Sequence, residues 1–183
     1  MSLTGATSRR HGDAARPPQG YRPPFPRWVA DLAGYRKLLQ DAWTNETVHE
    51  SFIGPAGADV PSSRGQCGVS SAWLVETLAG HQVPNLSYCY GDVYSALEPE
   101  RIEVELHCWI EVGYERHRLV VDLTGDQAEI LRQHQVLYGW HDELASQHHV
   151  DYRPRKRLTP RQLKSDRVQA RLAILKTYLP VIS

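Results

Sequence analysis

The sequence predicts an α+β fold, in which a central helix packs on an antiparallel sheet and further helices flank this core at both ends. Residues 102–112 alternate apolar and polar side chains, as a half-buried strand does. Apolar residues recur instead at helical spacing over residues 28–43 and 67–79. At 183 residues the chain is long enough for one domain with a sizeable core.

Residues 1–27 are predicted to form a disordered basic arm. They hold five Arg against one Asp, are rich in Pro and Gly, and carry little apolar content. A single domain then spans residues 28–183, and its first helix packs on the core. The apolar positions of that helix are Trp28, Val29, Leu32, Tyr35, Leu38, Leu39, Ala42 and Trp43.

Cys67 stands where a Gly/Pro/Ser-rich loop, residues 51–66, enters the central helix, which we predict over residues 67–79 with Gly80 as its C-terminal cap. A thiolate is the attacking form of cysteine, and a helix N-terminus lowers the thiol pKa. The free N–H groups of the first turn, with the Cys67 amide as the first donor, can also stabilise an oxyanion. Cys67 is thus a candidate nucleophile, although free cysteine is also a common small core residue.

His107 and Asp122 are predicted to face one another on adjoining strands, after an earlier strand at residues 86–90. If Gly113 lies opposite Arg116 in the turn, His107 lies opposite Asp122 on a polar face, close enough for the carboxylate to hold the imidazole. The same register makes a continuous apolar face from Cys108 with Val121, Ile110 with Leu119 and Leu106 with Leu123. Taken alone, a histidine such as His107 is more often a satisfied surface or core residue than a functional one, and Asp122 could simply be a strand-end turn residue.

The conjunction of Cys67, His107 and Asp122 predicts a nucleophile, a base and an acid that orients the base. The surrounding strings resemble the transglutaminase-like superfamily, which has a papain-like fold and shows G-x-C, then H-A-W-x-E-V, then D-x-T. The matching strings are Gly-Gln-Cys-Gly-Val-Ser-Ser-Ala-Trp-Leu, His-Cys-Trp-Ile-Glu-Val and Val-Val-Asp-Leu-Thr. This resemblance covers residues 64–126 and implies the same three roles for the same three residues, as in a compact bacterial member.

Other residues are predicted to border the site. Gln66 precedes the nucleophile, Trp109 matches the tryptophan of the family motif, and Trp140 follows a short helix expected from Thr124 to about residue 133. Thr124 and Gln127 would form a capping box for that helix. We expect Gln66, Trp109 and Trp140 to contact the substrate or its oxyanion. The upstream glutamine of papain-type enzymes has no counterpart, so the second oxyanion donor is unassigned.

The predicted activity is acyl transfer or hydrolysis at an amide through an acyl-enzyme, of the peptidase, amidase or deamidase type. An N-acyltransferase or transglutaminase with an amine acceptor is an alternative, and Arg64-Gly65-Gln66-Cys67 also resembles the R-G-G-x-C of arylamine N-acetyltransferases. A second alternative is a catalytically silent scaffold of the same fold that binds a protein or acidic partner through its basic C-terminal end.

That basic end reflects an uneven charge distribution behind a net charge of zero. Residues 28–150 hold seven Lys/Arg against eighteen Asp/Glu, whereas residues 151–183 hold nine against two. A C-terminal helix over residues 159–179 opens with Thr159-Pro160, and the basic residues from Arg153 to Arg171 surround it. They are either a solvated face that complements the acidic body or a docking surface for an acidic partner. Nucleic acid is not expected, since only Tyr152 offers a stacking ring there.

The three cysteines lack C-x-x-C spacing, so we expect neither a disulfide framework nor a metal site, and no cofactor. No apolar run approaches 18 residues, and no signal-type apolar segment is present. The expected location is therefore cytoplasmic, without membrane association.

Overall fold

A computed structural model describes residues 23–53, 62–97, 99–114 and 117–180. Residues 1–22 of the predicted arm therefore lie outside the described residues. Within the described ranges, the helices are α1 (Leu32–Ala42), α2 (Cys67–Gly80), α3 (His141–Gln147), α4 (Pro160–Leu163) and α5 (Val168–Tyr178). The strands are β1 (Leu86–Ser95), β2 (Ile102–Val112), β3 (Leu119–Asp122), β4 (Leu137–Trp140) and β5 (Val150–Leu158).

The five strands form one antiparallel sheet in the order β4-β3-β2-β1-β5, with β2 at its centre. Helix α2 packs on β1 and β2, and α5 packs on α2. The predicted α+β arrangement of a helix on an antiparallel sheet, flanked by helices from both ends of the chain, is confirmed. Among the described residues, no helix is long and apolar enough to cross a membrane.

Both faces of the sheet are buried, which corrects the prediction of a polar outer face on β2. Helix α3 and the 3-10 turns that follow β3 pack against the face of the sheet opposite α2. The apolar cluster on this side comprises Cys89, Val93, Trp109, Val120, Ala128, Leu131, Leu137, Leu144, Val150 and Tyr152. Glu111 is buried there because Arg118 and Arg157 donate to its two carboxylate oxygens at 3.0 and 2.8 Å. A polar residue on a strand is thus compatible with burial when its partners come from neighbouring strands.

The first two helices follow their predicted positions. A 3-10 turn, Arg27–Asp31, leads into α1, and α2 begins at Cys67 as predicted. Gly80 is the last residue of α2 and not its cap. Gln82 takes the left-handed conformation (φ 57°) instead, and the chain reverses there as the Val83 amide donates to the Leu78 carbonyl.

The predicted register between β2 and β3 is wrong by two residues. Ile110 pairs with Val121 and Val112 with Leu119, so the connection between the strands is longer than the predicted two-residue turn. A shift by two preserves the side-chain period of a strand, so the apolar face remains apolar. Leu106, however, leaves that face and is 45% exposed.

The helix predicted after β3 does not form. Two 3-10 turns, Gly125–Gln127 and Glu129–Leu131, occupy this stretch, and the Thr124 hydroxyl bonds to the Asp122 carboxylate in place of capping a helix. Arg36 of α1 anchors the segment by donating to the Leu123 carbonyl and to both carboxylate oxygens of Asp126.

The single helix predicted over residues 159–179 is two helices, α4 and α5, separated by a turn. Thr159 and Gln162 form a capping box, and Pro160 occupies the first helical position. Asp166 accepts the Val168 amide at 3.0 Å where α5 begins. The preceding basic run belongs to strand β5, beside β1, and not to the surroundings of one helix.

Candidate active site

Cys67 reaches the first position of α2 through a tight turn. Gly65 has φ +73°, a left-handed conformation that L side chains rarely adopt, and its carbonyl accepts the His49 amide. A Cβ at Gly65 would lie 2.9 Å from side-chain atoms of Val48 and Phe52. Glycine at this position therefore allows the chain to bring Cys67 to the helix start, where the residue is 7% exposed.

A bulge in β2 sets the orientation of His107. Leu106 has φ +56°, and the pairing of β1 with β2 shifts between Gly91 and Val93. The Leu106 amide donates to the Asp92 carboxylate at 3.1 Å, which Arg155 also binds at 2.7 Å. The strained backbone is thus held by a buried acid, as is common beside functional sites.

His107 and Asp122 lie in direct contact. The His107 Nε2 atom is 2.7 Å from Asp122 Oδ2, and both side chains are 1% exposed. By the observed register the two residues are diagonal neighbours rather than directly opposed, and the imidazole spans the offset.

Asp122 accepts three further hydrogen bonds. Its Oδ1 atom accepts from the Thr124 amide and hydroxyl at 2.8 and 2.9 Å, and its Oδ2 atom from the Tyr152 hydroxyl at 2.9 Å. Burial alone would raise the pKa of Asp122, but the charge of His107 and these hydrogen bonds outweigh it and keep the pKa below its usual value. Asp122 is therefore a buried carboxylate with a fixed orientation.

The same pair determines the charge of His107. Burial alone would lower the pKa of His107, but the Asp122 charge and hydrogen bond dominate and raise it to about 10. Cys67 adds a smaller contribution in the same direction. With Nε2 committed to Asp122, the buried Nδ1 atom has no hydrogen-bond partner among the residues that the structure describes. Nδ1 is accordingly the imidazole nitrogen available to the Cys67 thiol.

Cys108 is the strongest influence on Cys67. The neighbouring Cys108 thiol contributes most to lowering the pKa of Cys67 well below its ordinary value. Burial opposes the shift, while the neighbouring His107 imidazole and its positive charge reinforce it. The Tyr88 hydroxyl donates to Cys108 Sγ at 3.0 Å. The pKa of Cys108 itself is raised, chiefly by the Cys67 contact and by burial. These shifts favour the thiolate form of Cys67 and the protonated form of Cys108.

A cavity of about 820 Å³ opens in front of Cys67. Cys67 and Cys108 line it beside Tyr88, Leu106 and Gln127. His107 does not line it, because the imidazole is buried behind the thiol. Gln127 is held at the cavity wall by donating to the Ser63 carbonyl at 2.6 Å.

Three residues expected to contact the substrate are not among those lining the cavity. Gln66 donates its amide to the Thr44 carbonyl at 3.2 Å. Trp109 is fully buried, packs parallel to the His107 ring at 6.3 Å and donates to Glu111 at 3.2 Å. Trp140 belongs to the main apolar cluster and stacks on Phe25 at 5.8 Å. In the structure these side chains make supporting contacts, with Trp109 covering the base.

Sequence reasoning missed four residues that support the site: Asp92, Cys108, Tyr88 and Tyr152. Cys108 was placed on the core face, and only tertiary packing brings it against Cys67. The sequence pattern does not predict β5, so Tyr152 is expected only as an aromatic ring in a basic run. The alternation of apolar Val150 and Tyr152 with polar neighbours is a local sequence signal that could have indicated this strand.

No family model, curated protein or solved structure matches this chain. Among the described residues, no group of His, Cys, Asp and Glu is arranged to hold a metal ion. All three cysteines are free and buried.

Proposed function

We propose that this protein is a cysteine-dependent amide hydrolase that acts through Cys67, His107 and Asp122. The observation that carries the proposal is the position of His107. Its Nε2 atom is held by a buried carboxylate at 2.7 Å, and its other nitrogen is left to a thiol whose pKa is lowered. A thiolate paired with an imidazolium is the reactive form of a cysteine nucleophile.

In the proposed reaction, the Cys67 thiolate attacks the amide carbonyl and forms a tetrahedral oxyanion. The Cys67 amide, at the first turn of α2, is one donor to that oxyanion. The His107 imidazolium gives its Nδ1 proton to the leaving amine as the C–N bond breaks, and a thioester remains on Cys67. Water then attacks the thioester, with neutral His107 taking its proton, and the carboxylic acid and thiolate are released.

The order and setting of these residues also support the resemblance to the transglutaminase-like superfamily and its papain-like fold. The nucleophile opens a helix, and the base and the orienting acid lie on adjacent antiparallel strands. The three further motif positions all have defined contacts: Trp109 backs the base, Glu111 accepts from Arg118 and Arg157, and Thr124 binds the orienting acid. Water is the proposed acceptor, and the substrate is a peptide or side-chain amide.

The test is site-resolved labelling with iodoacetamide across a pH series, read by peptide mass spectrometry. Cys67 should react rapidly below pH 7, and this reactivity should be lost in His107→Gln. Cys89 is the control within the same molecule, because burial and the nearby Glu111 charge raise its pKa. Incubation with a panel of peptide amides should add an acyl mass to the peptide that contains Cys67, and Cys67→Ala should abolish it.

A hydrolase with water as acceptor should release free acid, whereas amine-dependent product would indicate an acyltransferase. If Cys67 reacts no faster than Cys89 and His107→Gln changes nothing, the thiolate–imidazolium pair does not exist. The proposal is then wrong.

A further inference from the structure

The cavity in front of Cys67 has an excess of positive charge. The cationic side chains that line it are Arg64, Arg132, Lys156, Arg167 and Arg171. The carboxylates that line it are Glu103, Glu105 and Asp166. Arg101 already neutralises Glu103 at 2.7 Å, and Asp166 accepts the Val168 amide. A cleft with this balance attracts anions.

Arg171 lies beside Gly68, the residue that follows the nucleophile. Its guanidinium Nη2 lies 3.4 Å from the point that a Cβ on Gly68 would occupy, so it covers the residue that follows Cys67. Its charge also reaches Cys108, whose pKa it lowers slightly against the larger opposing effects. The guanidinium is held by a weak bond from Nη1 to the Thr47 carbonyl at 3.4 Å, and the side chain is half-buried.

Arg171 differs from the arginines of β5 in having no acidic partner among the described residues. Arg153, Arg155 and Arg157, on β5, each pair with a carboxylate at 2.8 Å or less. Within the part of the chain that the structure describes, no carboxylate lies within 4.0 Å of the nitrogens of Arg171 or Arg167. A half-buried guanidinium without a counter-ion retains its capacity for a bidentate carboxylate contact.

Arg167 and Arg171 are four residues apart at the start of α5 and lie on the same side of that helix, toward the cavity. The basic C-terminal segment thus divides into two groups with different roles. The arginines of β5 pair with carboxylates, whereas Arg167 and Arg171 at the start of α5 face the cavity that contains Cys67.

We propose that Arg171, assisted by Arg167, forms an anion subsite beside Cys67, so that the preferred substrate is an amide carrying a carboxylate close to the scissile carbonyl. This inference rests on the proposed function, because it assigns the substrate class of the same site. The guanidinium binds the substrate carboxylate and positions the carbonyl at the Cys67 sulfur.

A pair of small electrophiles tests the subsite without knowledge of the substrate. Iodoacetate and iodoacetamide alkylate the same thiolate and differ only in that iodoacetate carries a carboxylate where iodoacetamide carries an amide. The rate ratio of iodoacetate to iodoacetamide at Cys67 is compared with the ratio for glutathione in the same buffer. Dividing the two rates cancels any change in the thiolate population, so the ratio reports anion recognition alone.

The wild-type ratio at Cys67 should exceed that of glutathione. Loss of a charge-assisted contact in Arg171→Gln should reduce the ratio on the order of tenfold. Arg171→Lys should retain part of the preference, and Arg167→Gln should lower it by less. Arg161→Gln is the matched control, because Arg161 is exposed on α4, outside the cavity, and its ratio should match wild type. High salt should also reduce the wild-type ratio.

A reactive Cys67 whose ratio is the same in wild type, Arg171→Gln and Arg167→Gln would overturn the anion subsite and leave the proposed function standing. Slow reaction of wild-type Cys67 with both reagents would overturn the proposed function and the subsite together.

Discussion

The Tyr152 hydroxyl donates a hydrogen bond at 2.9 Å to Asp122 Oδ2, the same oxygen that contacts His107 Nε2. Tyr152 is fully buried on β5, whereas Asp122 ends β3, so the bond connects strands that are not neighbours in the sheet. The carboxylate that orients the base is therefore itself oriented from a third strand.

Tyr152→Phe should destabilise the protein by about 1–2 kcal/mol, because a buried carboxylate loses one donor while the ring still packs. It should also raise the pKa of Asp122, since the lost bond favours the charged form. Urea unfolding at several pH values measures both effects. Tyr138→Phe is the control, because Tyr138 is 41% exposed and its ring contact with Phe25 survives. Equal stability of the two variants would contradict the role of Tyr152.

Cys108→Ala should move the pH midpoint of Cys67 labelling upward, because the largest stabiliser of the Cys67 thiolate is removed. Cys108→Ser retains a donor and should keep the midpoint low. The comparison variant is Cys89→Ala, which removes another buried thiol from the opposite face of the sheet. An unchanged midpoint in Cys108→Ala would mean that His107 alone activates Cys67.

Asp122→Asn should remove a pH dependence of stability. The folded pKa of His107, about 10, lies above its unfolded value of about 6.5, so protonated His107 stabilises the fold fully below pH 6.5. That contribution declines as the pH rises toward 10. Since Asp122 is the chief cause of the raised pKa, the decline should flatten in Asp122→Asn.

Both proteins in this comparison should carry Cys67→Ala, because the thiol titrates in the same window with the opposite sign. The free energy of unfolding from urea titrations between pH 6 and pH 10 gives the two slopes. Parallel slopes would show that Asp122 does not hold the proton on His107.

Arg36→Met should cost about 3–5 kcal/mol, because it leaves the buried Asp126 without its bidentate partner. The control is the same substitution at the neighbouring residue, Lys37→Met, which should change the free energy of unfolding little because the Lys37–Asp41 pair is exposed. Chemical unfolding measures both. Loss of the Arg36–Asp126 contact should also slow Cys67 labelling at neutral pH, because the segment after Asp122 is then held less firmly. A stable variant with normal labelling would separate this anchor from the site.

The local sequence pattern was sufficient to predict the elements of the fold that show a regular alternation or helical spacing of apolar side chains. The alternation of β2 and the helical spacing of α1 and α2 identified the type of each element, and their bounds agree closely with the structure. The predicted β2–β3 register is wrong by two residues because the length of the loop between the strands, and not the side-chain alternation, sets how far one strand is shifted along the other. The pattern could exclude a slip by one residue but not by two.

The sequence alone determined which residues could carry the chemistry: a cysteine at a helix start, a histidine within a strand and an aspartate at the end of the next one. Those are properties of residue type and local conformation. Tertiary structure alone decided what surrounds them, including Cys108 against the nucleophile, Tyr152 on the orienting acid and Arg171 over Gly68. These contacts join residues 30 or more positions apart, and such pairings depend on how strands and helices pack, which no local periodicity encodes.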